Sequence, residues 1–206
     1  MLKVRHRRLF YMFNYYRISI RFYFAVSLLF VSASCGLSQD ATISSLVPAW
    51  VKDAVFYHIF PERFANGDTT NDSPGKVAWN SQPTHDNYFG GDLKGIIDHL
   101  DYLQRLGVNA LYMTPVFESN TNHKYQTIDY KKIDPHFGDD KIFDELVAEC
   151  HKRKMHIVLD GVFNHTGVDF FAFKDVREKG KQSQYTGWYN IYSFPIKVAD
   201  KPNYEG

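Results

Sequence analysis

Cysteine is scarce in this sequence, since Cys35 and Cys150 are the only two among 206 residues. Cys150 shares an apolar helical face with Phe143, Leu146 and Val147. Its position favours a buried thiol over a disulfide partner.

An excess of charge of one sign is also lacking. The chain has 24 Lys and Arg against 23 Asp and Glu, for a net charge of +1. This balance argues against nucleic acid as a partner. No G-x-G-x-x-G segment follows the first apolar strand-like run, so a dinucleotide-binding fold is disfavoured.

The first 39 residues contain no Asp or Glu, and an apolar stretch at 22–34 follows a basic segment. That stretch is shorter than the roughly 20 residues that a membrane span needs. The pattern predicts a signal peptide over 1–35 of the lipoprotein type, with Cys35 as the lipidated residue. Ordinary secretion and an uncleaved anchor are the alternatives. Each predicts export, to the periplasm or cell surface, with membrane contact only through the anchor.

Residues 36–48 are polar and predict a tether, after which three apolar runs alternate with helical patterns. The runs at 54–60, 110–113 and 156–160 predict parallel strands, the first buried on both faces and the second also buried. A helical pattern from Leu93 ends before Gly107, and a second begins at Asp139-Asp140. The fold class is therefore α/β, either doubly wound or a barrel. Long loops follow the strands while helix-to-strand links are short, which favours the barrel over residues 49–167. The segment 168–206 shows no clean period and predicts an irregular excursion.

Side-chain oxygens are concentrated after the first strand. The candidate metal ligands are Asn66, Asp68, Asn71, Asp72, Gly90 (through its carbonyl) and Asp92. Calcium takes six to eight oxygen ligands from a flexible loop. The alternative is a solvated turn in which Asp92 caps the following helix.

Polar residues also follow the other two strands. Asp160, Asn164 and His165 come after the third strand, and His123 and Tyr125 after the second. In a barrel these positions share the carboxyl-terminal face, where catalytic residues lie. Taken singly, each residue could equally stabilise its own loop.

The chain resembles the α-amylase family, glycoside hydrolase family 13, from about Pro48 to Gly206. Within that family it is most similar to the cyclomaltodextrinase, neopullulanase and maltogenic amylase branch. The segments that carry the resemblance are AVFYHIFPERFANGD, GGDLKGIIDHLDYLQRLGVNALYMTPVF, HKYQTIDYKKIDPHFGD and DGVFNH.

The resemblance implies the first three strands and two helices of a (β/α)8 TIM barrel, with 168–206 as the start of an inserted domain. It implies that Tyr125 stacks on a sugar ring, that Asp160, His165 and His123 bind that sugar, and that Asn164 is structural or calcium-linked. It also implies that the Asn/Asp loop binds Ca²⁺. The implied reaction is hydrolysis of α-1,4-glucans (starch, maltodextrin or cyclodextrin) with retention.

The resemblance places the catalytic carboxylates beyond Gly206, so no catalytic residue is expected in this chain. The alternatives to part of a hydrolase are a catalytically silent amylase-like binding or scaffold protein and a truncated gene product. An incomplete barrel of three strands would leave a sheet edge unpaired.

Overall fold

The computed structural model describes residues 47–198 and 202–205. The predicted signal peptide, its lipidation residue Cys35 and nearly all of the tether lie outside the described residues. From Lys52 onward the described chain forms one compact unit. Its strands and helices are, in chain order, β1 (Phe56–Ile59), α1 (Leu93–Asp98), α2 (Leu100–Arg105), β2 (Ala110–Met113), β3 (Phe117–Ser119), β4 (Thr127–Ile133), α3 (Asp140–Lys152), β5 (His156–Leu159), α4 (Phe171–Lys179), β6 (Asn190–Ile191) and β7 (Tyr204–Glu205).

The main sheet has three parallel strands in the order β1-β2-β5, which confirms the predicted parallel α/β pattern. Ile59, Met113 and Leu159 are in register at the last positions of the three strands. Because the strands end level, the loops that follow them begin at one edge of the sheet. This edge is where the polar residues predicted from the sequence are placed.

The prediction that the first strand is buried on both faces is wrong. Val55 is 51 % exposed and Phe56 is 49 % exposed. The reason is position, since β1 lies at the edge of the described sheet and pairs there only with β2. The central strand β2 is buried as expected, with Ala110, Leu111 and Met113 fully inaccessible.

The helical segment after the first long loop is broken at His99 into α1 and α2. His99 Nδ1 contacts the Gly95 carbonyl at 2.7 Å and competes for the acceptor that a continuous helix would use. The apolar stripe survives the break, because Leu93, Ile96 and Leu100 are all fully buried. Gly107, with φ +86, ends the segment.

The second predicted helix begins where the sequence indicated. Asp139 precedes α3, and its side chain accepts a hydrogen bond from the Ile142 amide at 3.0 Å. Leu146 and Cys150 lie fully buried on its inner face, so the thiol is buried as predicted. Burial raises the pKa of Cys150 to about 11, which keeps the thiol protonated and unreactive.

Two features differ from the sequence expectation. The stretch between β2 and α3 contains the antiparallel pair β3–β4 instead of a simple loop. The stretch after Gly167 is not wholly irregular, because α4 occupies Phe171–Lys179. Its aromatic residues obscured the helical period, yet Phe173 packs against Tyr189 at 5.0 Å and Tyr204 at 4.6 Å between ring centroids. Within the described ranges, no helix has the length and apolar character of a membrane span.

The buried apolar face shared by α1 and α2 yields a prediction for the free energy of unfolding. Leu103→Ala should lower the free energy of unfolding by about 2–5 kcal/mol, because it opens a cavity under α2. Leu103 is fully buried, whereas its neighbour Leu106 is 54 % exposed. Leu106→Ala should therefore change the free energy by less than about 0.5 kcal/mol. Urea denaturation of the two protein variants measures both changes, and equal losses of stability would contradict this packing.

Candidate active site

The edge where the main strands end brings three side chains into contact. The Asp160 amide donates to the Met113 carbonyl at 3.0 Å, which fixes Asp160 directly beyond β5. Its Oδ2 atom accepts hydrogen bonds from the hydroxyls of Tyr125 at 2.7 Å and Tyr112 at 3.1 Å. Within the described chain both hydroxyls donate to the same oxygen, Oδ2, and the other carboxylate oxygen, Oδ1, can accept further hydrogen bonds.

Tyr125 is held as a hydrogen-bond donor. Burial, together with the hydrogen bond to Asp160, raises the pKa of Tyr125 to about 12. The hydroxyl therefore keeps its proton across the neutral range and continues to orient the carboxylate. The Tyr125 ring lies beside the hydrogen bond to Asp160 and is half-buried. Its centroid lies 5.7 Å from the centroid of the His123 ring.

The two predicted histidines both contact the backbone of Tyr125. His123 Nδ1 accepts from the Tyr125 amide at 3.0 Å, so in the neutral ring its proton is on Nε2. Burial lowers the pKa of His123, which favours this neutral form. His165 Nε2 donates to the Tyr125 carbonyl at 2.9 Å. A neutral His165 with its proton on Nε2 presents Nδ1 as an acceptor.

Tyr112 and His58 were missed by the sequence reasoning. Both lie inside strands, and the register pairs His58 with Tyr112. Their rings stack at a centroid distance of 4.7 Å. The available signal was a polar ring within each of two apolar runs, which buried strands otherwise avoid.

A buried ion pair supports the loop that carries Tyr125. Lys124 is 1 % exposed, and its Nζ lies 2.8 Å from Asp134 Oδ2. The ammonium also lies 5.0 Å from the ring centroid of Phe137. Lys124 has φ +62, a left-handed conformation that is uncommon for residues other than glycine. The pair therefore holds a strained backbone between His123 and Tyr125.

The Asn/Asp loop is packed against the start of α1. Asp92 accepts hydrogen bonds from the amides of Gly95 at 2.6 Å and Asp68 at 2.8 Å, so it caps the helix as the alternative interpretation expected. Asn66 Nδ2 donates to Asp72 Oδ1 at 2.6 Å. Asp68 caps its own turn through Thr70.

Several features of this loop nevertheless fit a hard cation. The buried amide oxygens of Asn66 and Asn71 have no hydrogen-bond donor among the described residues. Burial raises the pKa of Asp92, so a nearby cation would stabilise its charged form. Gly90 has φ +81, and a Cβ there would lie 2.7 Å from Asn66 Nδ2. The described chain holds no cluster of three or more His, Cys, Asp or Glu side chains suited to a metal, so amide oxygens would have to contribute.

Asn164 belongs neither to the residues around the Tyr125–Asp160 contact nor to the Asn/Asp loop. It is exposed in the loop after β5, and it lines a small cavity with Tyr130, Phe163 and His165. Its side chain makes no hydrogen bond within the described ranges. The predicted structural or calcium-linked role of Asn164 stays a prediction.

Residues 58–205 match the family described as "Alpha amylase, catalytic domain". The chain belongs to the α-amylase family. Neopullulanase 2 of Thermoactinomyces vulgaris is 56 % identical over 160 residues, which cover 77 % of this chain and 27 % of that protein. A solved structure, the cyclic α-maltosyl-(1→6)-maltose hydrolase of Arthrobacter globiformis, shares 52 % identity with a TM-score of 0.75. The match covers 77 % of this chain and 36 % of that one.

Other relatives are named cyclomaltodextrinase and maltogenic α-amylase, so the predicted branch is confirmed. The chain spans little more than a quarter of the length of these curated relatives.

The predicted export to the periplasm or cell surface is wrong by these comparisons. A Bacillus subtilis relative, 52 % identical over 150 residues (72 % of this chain and 26 % of that protein), is named an intracellular maltogenic amylase. The export prediction relied on residues 1–39, which lie outside the family match and the described residues.

The buried ion pair gives a prediction for the loop. Lys124→Met should lower the free energy of unfolding by about 3–5 kcal/mol, since it leaves the Asp134 carboxylate buried without a counter-charge. The matched control is Lys131→Met, at an exposed position of β4, which should be nearly neutral. Chemical denaturation of the full-length variants measures the difference. If Lys124→Met were as stable as Lys131→Met, the pair would not hold the loop.

Proposed function

We propose that this chain supplies part of the active site of a retaining glycoside hydrolase that acts on α-1,4-glucans such as maltodextrin, cyclodextrin or starch. The observation that carries the proposal is the contact of Tyr125 with Asp160 where the main strands end. Family membership and relatives named after maltodextrin-type substrates support the same conclusion.

The proposed site binds one glucosyl ring. Tyr125 offers an aromatic face for stacking, a mode that suits the apolar side of a sugar. Asp160 offers Oδ1 to a ring hydroxyl, and neutral His123 offers its Nε2 proton to another. His165 holds the Tyr125 carbonyl and presents Nδ1 as an acceptor. These groups orient the sugar and exclude alternative poses.

Retaining hydrolysis needs two carboxyl groups about 5 Å apart, one as nucleophile and one as acid/base. Asp160 is engaged by two tyrosine hydroxyls and is proposed to bind the sugar instead. The family resemblance puts the reacting carboxylates on the fourth and fifth strands of a (β/α)8 barrel. We therefore propose that β1, β2 and β5 are the first three barrel strands, and that 168–206 begins the inserted domain.

The sugar site is tested by Asp160→Asn in the full-length protein. This variant should lower kcat/KM for maltoheptaose by about a hundredfold or more, because a charged hydrogen-bond acceptor is lost where the substrate is oriented. Asp144→Asn, at an exposed position of α3, is the matched control and should behave as wild type.

An Asp160→Asn variant with wild-type kinetics would remove Asp160 from the proposed site. A wild-type protein that binds maltoheptaose but never hydrolyses it would favour the catalytically silent alternative.

We also propose that the Asn/Asp loop holds Ca²⁺, with side-chain oxygens of Asn66, Asn71 and Asp72, the Gly90 carbonyl and Asp92 as ligands, and Asp68 at its rim. The two donor-free amide oxygens support this assignment. The ion would supply no reaction chemistry. It would fix the long loop that follows β1.

Calcium binding should stabilise the folded protein by mass action. Treatment with EGTA should therefore lower the melting temperature by several degrees, and added Ca²⁺ should restore it. In an Asn71→Leu variant, EGTA should have little effect, whereas Asn80→Leu, an exposed loop position, should respond as wild type. Identical wild-type melts with and without EGTA would contradict the site.

A further inference from the structure

One face of the main sheet carries polar rings where the other face carries apolar side chains. Leu111 and Met113 of β2 are fully buried in the core that the helices cover. Tyr112 lies between them, so its side chain is on the opposite face of the sheet. There it is only partly buried, and its strand partners are His58 of β1 and Val158 of β5.

The Tyr112 hydroxyl reaches the proposed sugar site from this face. It donates to Asp160 Oδ2 at 3.1 Å. Asp160 lies two residues beyond Val158, the strand partner of Tyr112. Because a strand rises about 3.3 Å per residue, the acceptor lies roughly 7 Å further along the sheet. The length of a tyrosine side chain spans this step, whereas a serine or threonine hydroxyl at the same position would fall short.

The two tyrosines that donate to Asp160 are held in different ways. Tyr125 belongs to a loop, and its ring is proposed to meet the sugar directly. Tyr112 belongs to the central strand, which is paired on both sides. The terminal torsion of an aspartate is soft and nearly twofold, so a single donor leaves the carboxylate free to turn. A second donor from a rigid strand fixes Oδ2 toward the sheet and leaves Oδ1 toward the ligand.

His58 supports the Tyr112 ring. The two rings stack with a centroid distance of 4.7 Å and an interplanar angle of 18°. Such aromatic pairs contribute beyond the area that they bury, and the stack restricts the positions open to the Tyr112 ring. The hydrogen bond to Asp160 also raises the pKa of Tyr112, so its hydroxyl stays a donor at neutral pH.

We infer that Tyr112 is a positioning residue of the proposed sugar site, which holds the Asp160 carboxylate in its sugar-binding orientation while His58 holds the Tyr112 ring. This role rests on the proposed function, because Tyr112 acts through Asp160. The sequence gave no sign of it, since the hydroxyl and its acceptor are 48 residues apart along the chain.

The test is Tyr112→Phe in the full-length protein, which keeps the ring and removes only the hydroxyl. Isothermal titration calorimetry with a non-hydrolysable maltohexaose analogue measures the Kd without turnover. Tyr112→Phe should raise this Kd by about fivefold or more, the loss expected for one hydrogen bond to a carboxylate. The matched control is Tyr102→Phe, which removes a hydroxyl from a 48 % exposed tyrosine of α2. It should bind the analogue like wild type.

A double-mutant cycle separates positioning from a general structural role. In an Asp160→Ala background, Tyr112→Phe should change the Kd by less than about twofold, because the hydroxyl has lost the group through which it acts. An equal loss in both backgrounds would overturn the inference. A Tyr112→Phe variant that is folded by thermal melt and binds the analogue like wild type would also overturn it.

The contribution of His58 is tested by a conservative rescue. His58→Ala removes the stacked ring and should raise the Kd by about threefold or more. His58→Phe keeps a ring against Tyr112 and should bind nearly like wild type. Wild-type affinity in His58→Ala would overturn the support assigned to His58.

The same titrations distinguish this inference from the proposed reaction. Wild-type protein that binds the analogue but does not hydrolyse maltoheptaose would overturn the proposed reaction, while a weaker Kd in Tyr112→Phe would still support the positioning role. Wild-type protein that does not bind the analogue would overturn both.

Discussion

The buried Lys124–Asp134 ion pair is the interaction on which the arrangement of the site depends. Removing two charges from water is costly, and the pair offsets that cost only because both groups find further partners. Asp134 also accepts from the Ser119 amide at 3.0 Å, which ties the end of β3 to the residue that follows β4. The left-handed backbone at Lys124 turns His123 and Tyr125 toward the strand ends. If the loop were held only by solvent-exposed contacts, its backbone would move and the Tyr125–Asp160 hydrogen bond would repeatedly break.

A second buried charge connects this site to the Asn/Asp loop. Glu62, 2 % exposed, follows β1 and accepts hydrogen bonds from the Phe89 and Gly90 amides, the latter at 3.0 Å. Burial raises the pKa of Glu62, while those amides and the neighbouring Arg63 oppose the shift. Glu62 therefore fixes the backbone at Phe89 and Gly90, near the end of the long loop after β1. One carboxylate thus links the end of the first strand to the candidate calcium loop.

The sequence predicted those strands and helices in which the spacing of apolar residues directly reflects which side chains are buried. The central strand at Ala110–Met113 and the helix after Asp139 follow directly from apolar spacing and capping. The exposure of Phe56 did not follow, because it depends on which strand lies at the sheet edge. Asp160 and Tyr125 were predicted by their places after strands, but their direct contact was not. Lys124 was missed since a lysine in a polar loop reads as solvated, and only the fold shows Asp134 beside it. The roles of these residues in sugar binding stay predictions.

The central claim is that Tyr125 and Asp160 form the binding position of a glucosyl ring. The most direct test is a crystal structure of the full-length protein with a non-hydrolysable maltohexaose analogue. The account predicts a glucosyl ring against the face of Tyr125, with one of its hydroxyls within hydrogen-bond distance of Asp160 Oδ1. A bound analogue that leaves the Tyr125 face uncovered and makes no contact with Asp160 would contradict it.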